Sequence, residues 1–259
     1  MLWQLFLLDA VLMTSCWLWA SHNLRAGIVD VAWSFCIALN ILIIAWLMDD
    51  ALIHVRLFIG IFSSIWFLRL SWHLLRRYLA ESEEDRRYAN MRSAMGKYQH
   101  IGFYIFFMFQ AGLAILFTIP MWTLLHVPSP AWSPQTYVFL IIAGMVMLIA
   151  FLGEVVADQQ LFRFKQQKQN AGKTMDQGLW RYSRHPNYFF EWIHWFAYPI
   201  IGLAAGLYSL WIYPVMMWLF LYYITGIPFS EQQALKNRGQ NYLDYQKRTS
   251  MFIPWKPKE

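Results

Sequence analysis

The chain has 259 residues, of which 58% are hydrophobic, 19% aromatic and only 14% charged. Soluble domains carry roughly a quarter charged residues, so this composition excludes an ordinary water-soluble globular protein. The two cysteines, Cys16 and Cys36, lie in apolar stretches and form neither a disulfide framework nor a metal-ligand pattern. No basic residue precedes the first apolar stretch, so we expect a retained helix rather than a cleaved signal peptide.

Seven apolar stretches are long enough to cross a bilayer, whose hydrocarbon core needs about 20 helical residues. In chain order they cover about residues 4–21, 27–48, 52–75, 101–125, 135–160, 187–205 and 207–228. No internal repeat or long linker interrupts them. The sequence therefore predicts one all-α transmembrane domain over residues 1–259, with seven helices. The polar tail 229–259 is too short for another span, and we expect it to fold back along the cytoplasmic face.

The cations follow a strict alternation between the predicted connections. Arg25 lies in the first connection, and six Lys and Arg lie in each of the segments 76–97, 163–184 and 236–258. The opposite connections carry Asp49, Asp50 and His126 but no Lys or Arg. By the positive-inside rule this predicts the N-terminus outside and the C-terminus in the cytoplasm. The net charge of +6 is thus explained by topology first, rather than by nucleic-acid binding.

Ionisable side chains at the centre of a membrane helix cost at least ~2.5–3.5 kcal/mol, so those in the spans are functional candidates. Most of them fall in the predicted cytoplasmic halves, together with the polar amide of Asn187: Asp30, Arg69, His73, Glu154, Asp158, Glu191 and His194. Glu154 and Asp158 are four residues apart on one helical face, where like charges repel. This set predicts a polar cavity open to the cytoplasm, although the residues could instead only pair to hold helices together. Three exceptions are expected to snorkel at the outer boundary: Asp9, His54 and Arg56.

The segment between the fifth and sixth spans interleaves cations, aromatic rings and small polar groups over residues 163–188. Arginine offers forked donors for phosphate, and aromatic rings offer a face for a base. Lipid headgroups would explain the cations equally well, but not the acids at the same depth, which suit ribose hydroxyls or an amide. No two glycines have the G-x-G spacing of a dinucleotide fold, so any nucleotide must be held by the helices themselves.

The run GLWRYSRHPNYFFE at residues 178–191 resembles the steroid 5-alpha-reductase family, in its bacterial branch. The tail residues YLDY at 242–245, followed by TSMFIPW at 249–255, are similar to that family's C-terminal signature. The run EDRRY at 84–88 is also similar to the bacterial branch. The resemblance implies a seven-helix reductase that binds NADPH from the cytoplasm. Its reaction would pass hydride to the β-carbon of an enone such as a 3-oxo-4-ene steroid.

The resemblance also implies site residues. The family's cofactor acids and amides match Glu154, Asp158, Asn187 and Glu191, and its phosphate-binding cations match Lys165, Lys173 and Arg69. The remaining implied cofactor residues are His73, Arg87, Tyr88, Tyr182, Arg184, His185, Tyr242 and Tyr245. The catalytic acid that hydrogen-bonds the substrate carbonyl corresponds to Asp30, and Trp66 stands at the position of the tyrosine that assists it in the animal enzymes. An indole supplies no phenolic proton, and Asp30 could polarise a carbonyl only if protonated, which partial burial favours.

The sequence leaves two other functional hypotheses open. Membrane methyltransferases of the isoprenylcysteine or phospholipid type share an Arg-His-Pro-x-Tyr element, matched by residues 184–188, and a later acidic pair, here reduced to Glu231-Gln232. S-adenosylmethionine has no phosphate, however, and would leave Lys165 and Lys173 without a role. The third reading is a non-enzymatic lipid-binding or scaffold protein. We expect a bacterial inner-membrane protein with its site facing the cytoplasm, a small lipophilic substrate, contact with membrane lipids and no nucleic-acid or metal ligand. The oligomeric state is left open, a monomer included.

Overall fold

A computed structural model describes residues 1–81 and 83–258. All regular secondary structure in these two ranges is helical, as expected for the all-α class. Six helices are long and apolar enough to cross a membrane: Leu2–Asn23, Ile28–Leu47, Ile53–Ala80, Arg86–Leu125, Thr136–Gln166 and Tyr208–Arg238. These six helices support the predicted membrane-protein class. The chain divides into two compact units, the first covering Met1–Trp132 and the second beginning at Ser133.

The first unit contains α1 (Leu2–Asn23), α2 (Ile28–Leu47), α3 (Ile53–Ala80), α4 (Arg86–Met95) and α5 (Gln99–Leu125). Helix α2 packs against α1, α3 and α5, and many of its side chains are buried, Ile37 and Ile41 completely. Helix α3 contains a π-helical turn at Ile59–Ser63. The short polar helix α4 begins where Asp85 accepts a hydrogen bond of 2.9 Å from the Arg87 amide, which satisfies a donor at the helix start.

The second unit contains α6 (Thr136–Gln166), α7 (Pro186–His194), α8 (Ala197–Gly202), α9 (Ile212–Leu219), α10 (Ile227–Arg238) and α11 (Gln240–Arg248). Helix α6 packs along α7 and α8. A π-helical turn at Phe220–Ile224 follows α9 and leads towards α10. The long α6 carries its apolar residues in its first turns and its polar residues, beginning at Glu154, in its second half.

The predicted sixth span, residues 187–205, is not one continuous helix. Helix α7 ends at His194, and a turn at Trp195 and Phe196 separates it from α8. Pro199 explains the break, because proline has no backbone N–H and its ring clashes with the carbonyl four residues earlier, that of Trp195. Apolar length alone predicted a span here, and proline divides it into two short helices followed by a turn at Leu203–Ala205.

The polar tail folds back onto the segment before α7. The Arg184 amide donates to the Ser250 carbonyl at 2.9 Å, and the Trp255 amide donates to the Tyr182 carbonyl at the same distance. The Ser183 hydroxyl donates to the Phe252 carbonyl at 2.7 Å. The expected fold-back is thus a backbone-paired strap that holds residues 182–184 in place.

Close packing between α6 and α7 generates a stability prediction. A Cβ atom at Gly153 would lie 2.4 Å from ring carbons of Phe190 on α7. We expect Gly153→Ala to lower the free energy of unfolding by about 1–3 kcal/mol, because overpacking forces the ring or the helix to shift. Thermal unfolding in detergent measures the change.

The matched control is Gly112→Ala on α5, where an added Cβ would meet nothing within 4 Å. We expect this variant to be as stable as the wild type or up to about 1 kcal/mol more stable, because alanine is the better helix former. Equal unfolding temperatures for the Gly153→Ala variant and the wild type would contradict the packing described here.

Candidate functional site

Helices α6 and α7 bring the predicted acids and amides together. Asn187 Nδ2 donates to Asp158 Oδ1 at 3.3 Å, which joins the start of α7 to the second half of α6. Glu154 precedes Asp158 by one turn, and Glu191 follows Asn187 by one turn, so each helix contributes two members. Glu154 and Glu191 are both buried, and the Trp195 indole donates to Glu191 Oε1 at 3.1 Å. The clustering expected from the sequence is present within this unit.

The acceptors of this cluster outnumber its donors. Asn187 Oδ1 is buried and has no hydrogen-bond partner among the described residues. A buried amide oxygen of this kind normally has a partner in the protein, ordered water or a ligand. The groups that such a cluster can bind are therefore hydrogen-bond donors, such as hydroxyl groups or a carboxamide N–H₂. The cluster does not fit an anionic group.

Two predicted phosphate-binding lysines lie at one pocket beyond the end of α6. Lys165 and Lys173 line an open pocket with an empty volume of about 550 Å³, together with Arg238 at the end of α10. Gly172 adopts a positive φ of 74° in the turn that carries Lys173, a conformation that favours glycine. Arg238 was not expected from the sequence, because nothing local marks it as part of this pocket.

Helix α6 also sets the spacing between the acids and the pocket. Glu154, Asp158 and Lys165 are separated by four and seven residues, so they lie on one stripe of the helix. At 1.5 Å rise per residue, Lys165 lies about 10 Å beyond Asp158 along the helix axis. One face of one helix therefore carries acceptors at one end and a cation two turns further on.

A second polar cluster centres on Glu231 of α10, which sequence reasoning did not select as a reductase site residue. Glu231 Oε1 accepts from Arg184 Nε at 2.9 Å, from the Tyr242 hydroxyl at 2.8 Å and lies 2.8 Å from His185 Nε2. Glu231 Oε2 accepts from Arg184 Nη2 at 3.2 Å and from the Gln246 amide. Arg184, His185 and Tyr242, which the resemblance assigned to the cofactor, thus have a structural partner in this unit. The sequence signal was the incomplete acidic pair noted for the methyltransferases.

The side chains around Glu231 either are uncharged at pH 7 or have hydrogen-bond acceptors for their N–H groups. Burial lowers the pKa of His185 below its ordinary value despite the nearby carboxylate, so the ring is neutral at pH 7. Burial and the Glu231 charge raise the pKa of Tyr242 well above its ordinary range. The remaining nitrogen of the Arg184 guanidinium donates to the Gln246 and Thr249 carbonyls, each at 3.0 Å. This network is a scaffold that fixes the backbone immediately before α7.

The remaining tail and loop residues differ in exposure. The buried Tyr245 hydroxyl donates to the Trp180 carbonyl, and burial raises the pKa of this phenol. Tyr182 keeps a side chain that is 45% exposed, while its carbonyl accepts from the Trp255 amide. Of these two predicted cofactor residues, Tyr182 therefore has the side chain that a ligand can reach.

In the first unit, Asp30 lies in a cluster with Arg87 and Tyr88. Asp30 Oδ1 accepts from the Tyr88 hydroxyl at 2.7 Å, and Asp30 Oδ2 accepts from Arg87 Nη2 at 3.0 Å. Asp85 holds the same guanidinium through Arg87 Nε at 3.2 Å. Asp30 and Arg87 also line a small pocket at this end of the unit. Asp30 is an acceptor in both contacts, rather than the donor that the expected protonated acid would be.

The other predicted residues of this unit lie on α3. Trp66 is 1% exposed and packs in the core, which gives it a structural role in this unit whatever its part in catalysis. The Arg69 guanidinium lies 6.0 Å from the Trp66 ring centre, within cation–π range. His73 follows Arg69 by one turn on the same face and is partly exposed.

Comparison with known proteins gives a family but no activity. Residues 16–249 match the model of a family described as "Protein of unknown function (DUF1295)". An uncharacterized protein of Schizosaccharomyces pombe, C594.04c, is 25% identical over a region that covers 74% of this chain. The matched region covers 61% of the yeast protein, so the chain spans less than two thirds of that relative's length. No solved structure matches the chain.

The Glu231 cluster generates a stability prediction. The Arg184 and Glu231 side chains are only 10% and 12% exposed, so removing the acid leaves a nearly buried guanidinium without its counter-charge. We expect Glu231→Gln to lower the free energy of unfolding by about 3–5 kcal/mol, the cost of breaking a buried ion pair. Thermal unfolding of the purified variant in detergent measures this loss.

The control is Gln232→Ala, one residue along and on an exposed position. Surface substitutions of this kind change stability by less than about 0.5 kcal/mol. If Glu231→Gln unfolds at the same temperature as Gln232→Ala, the Glu231 cluster does not stabilise the unit.

Proposed function

The chain belongs to the DUF1295 family, and from its side-chain clusters we propose that it is an integral membrane reductase. It transfers hydride from NADPH to the C=C bond of an enone lipid such as a 3-oxo-4-ene steroid. The observation that carries this proposal is the stripe of α6 on which Glu154 and Asp158 are followed, about 10 Å along the axis, by Lys165. Acceptors for ribose and amide at one end and a cationic pocket at the other suit a nucleotide with a riboside and phosphates.

In this proposal the second unit holds the cofactor. Asp158, Asn187 and Glu191 bind the nicotinamide riboside, where the unpaired Asn187 Oδ1 accepts one of its donors. Lys165 and Lys173, joined by Arg238, bind the phosphates through charge-assisted hydrogen bonds. The Glu231 scaffold fixes the start of α7 and hence the direction of the Asn187 side chain.

The resemblance assigns the group that stabilises charge on the substrate to Asp30, in the first unit. Hydride addition, for which NADPH would supply the hydride, builds negative charge on the enone oxygen, which a hydrogen-bond donor stabilises. Within this unit the Arg87 guanidinium, bound to Asp30, is such a donor. Asp30 and Asp85 hold the guanidinium in place, and the Tyr88 phenol completes the hydrogen bonds to Asp30. Asp30 then acts as a positioning acid rather than a protonated one.

The proposal keeps the expected topology. The divided segment, from Pro186 to Ala205, is then the sixth of seven crossings in chain order, with its broken backbone covered by neighbouring helices. The cation distribution supports an N-terminus outside and a cytoplasmic C-terminus. The cofactor site then faces the cytoplasm, in a bacterial inner membrane.

The methyltransferase alternative gains no support from the site. The Arg-His-Pro element shared by both enzyme classes is bound to Glu231 in the scaffold, so it does not separate them. The basic pocket does separate them, because S-adenosylmethionine carries no phosphate for Lys165 and Lys173. A scaffold or lipid-binding protein would need no buried acceptors at the depth of Asn187.

Ligand titration tests the cofactor half of the proposal. We expect NADPH, but not S-adenosylmethionine, to raise the thermal unfolding temperature and to change the tryptophan fluorescence of the purified protein. Lys165→Gln and Lys173→Gln should each weaken NADPH binding by about tenfold, the value of one charge-assisted hydrogen bond.

Lys168→Gln is the matched control, because Lys168 is exposed in the same connection and does not line the pocket. Its Kd for NADPH should equal that of the wild type. Stabilisation by S-adenosylmethionine alone would replace the reductase by a methyltransferase, and no response to either ligand would favour a scaffold protein.

Steady-state turnover tests the proposed role of Asp30 in the first unit. With a 3-oxo-4-ene steroid as substrate, Asp30→Asn should lower kcat by about 10²-fold or more, because Arg87 is released from its position. NADPH affinity should stay near the wild-type value. The decrease in NADPH absorbance with time measures kcat, and the shift in unfolding temperature with NADPH concentration measures the affinity for NADPH.

Tyr98→Phe is the control for this site, since Tyr98 is a surface residue that is 63% exposed. It should retain full turnover. Full activity of Asp30→Asn would show that another group holds the donor to the carbonyl, while a parallel loss of NADPH affinity would show that Asp30 acts on the cofactor instead.

A further inference from the structure

A third polar cluster, which the proposed reaction does not use, lies inside the first unit. Asp9 on α1, Asn40 on α2 and Thr118 on α5 are each 0% exposed. Asn40 Nδ2 donates to Asp9 Oδ2 at 2.8 Å and approaches Thr118 Oγ1 at 3.4 Å. The expectation that Asp9 snorkels to the membrane boundary was wrong, because its carboxyl group is buried among three helices.

The Asp9 and Asn40 side chains share one hydrogen bond, and each keeps one oxygen without a partner among the described residues. Asp9 Oδ1 and Asn40 Oδ1 are both buried, and neither has a hydrogen-bond partner in the described part of the chain. A carboxyl and an amide can form a planar ring of two hydrogen bonds, in which the amide donates to one carboxyl oxygen and the other carboxyl oxygen donates to the amide oxygen. When Asp9 is ionised, both unpaired oxygens are acceptors, and leaving a buried acceptor unsatisfied is destabilising. One proton on Asp9 Oδ1 satisfies both at once.

Among the described residues, no positively charged group faces Asp9 to balance a carboxylate. The titratable groups that face it are the Cys36 thiol on α2, which hydrogen-bonds to the Asp9 side chain, and, beyond that, Cys16 on its own helix. From α5 comes the Thr118 hydroxyl, which donates to the Ala114 carbonyl at 2.8 Å. An unpaired carboxylate in the centre of a membrane helix bundle is strongly unfavourable.

A bound metal ion is a poorer explanation of the two unpaired oxygens than a proton. Calcium and magnesium take about six or more oxygen ligands, whereas this cluster presents two unpaired oxygens. Asp9 lies seven residues after the start of α1 at Leu2, which is about 10 Å along the helix axis. A metal ion at that depth would need further ligands to replace its hydration shell, whereas a proton is held by a covalent O–H bond and one hydrogen bond.

We propose that Asp9 is a carboxylic acid in the folded protein and that its proton, held between Asp9 Oδ1 and Asn40 Oδ1, occupies a buried proton-binding site that docks α1 onto α2. The neutral acid and the amide then form a ring of two hydrogen bonds. Loss of the proton leaves a carboxylate facing an amide oxygen and releases α1. This site is independent of the proposed reductase activity.

Infrared spectroscopy of the wild-type protein provides the direct test. A protonated carboxyl group has a C=O stretching band separate from the amide and carboxylate bands. We expect Asp9→Asn to remove one such band at neutral pH, while Asp30→Asn leaves it unchanged, because Asp30 accepts from Arg87 and Tyr88. If Asp9→Asn removes no carboxylic-acid band, Asp9 is ionised and the proposal is overturned.

Stability gives a second, independent readout. An asparagine at position 9 offers the same donor and acceptor as a protonated aspartic acid, so Asp9→Asn should unfold at the wild-type temperature. Asp9→Leu loses both hydrogen bonds and should unfold at a lower temperature, as should Asn40→Leu. Cys36→Ala, which removes only the facing thiol, should retain the infrared band.

Two outcomes would overturn the proposal on this readout. The first is that Asp9→Asn unfolds at as low a temperature as Asp9→Leu, which would show that the negative charge is required. The second is that replacing choline by sodium in the buffer raises the unfolding temperature of the wild type but not that of Asp9→Asn. This result would identify a metal ion as the occupant.

Discussion

A bilayer offers no hydrogen-bond partner to a polar group in its hydrocarbon core, and this constraint acts on every part of the molecule. The backbone meets it through helices, which account for all regular structure in the described ranges. Side chains meet it by gathering in clusters where donors and acceptors match. Three such pairs are Asp9 with Asn40, Asp30 with Arg87, and Glu231 with Arg184, and each joins residues at least 31 positions apart in the chain.

The Glu231 cluster shows how stability and function are connected in the second unit. Arg184 and His185 immediately precede α7, and their bonds to Glu231 fix the chain just before Pro186 starts the helix. The next residue is Asn187, which donates to Asp158 and keeps a buried side-chain oxygen without a hydrogen-bond partner among the described residues. The Glu231 scaffold therefore fixes the backbone from which Asn187 extends, and in the proposed function this amide binds the cofactor.

Asp30 illustrates how a partner changes a residue's chemical role. From the sequence it is an isolated acid near a membrane boundary, and an isolated acid in that setting is expected to be neutral. In the structure it accepts from a guanidinium and a phenol. In the proposed reaction the hydrogen-bond donor to the substrate oxygen is therefore Arg87 rather than Asp30, although the resemblance assigned Arg87 to the cofactor.

The amino-acid sequence is enough to predict the membrane class, the positions of six long helices and the facing of Glu154 and Asp158 along one helix. These features follow from composition and from a periodicity of 3.6 residues, which are local properties. Hydropathy could not predict that the segment 187–205 is divided into two helices, because it measures apolar length and not the backbone clash that Pro199 causes. Only the tertiary structure decided that Glu231 binds Arg184, that Arg238 joins the lysine pocket and that Asp9 meets Asn40. Each of those contacts joins residues far apart in the chain, and no local pattern encodes which distant side chain a buried polar group will find.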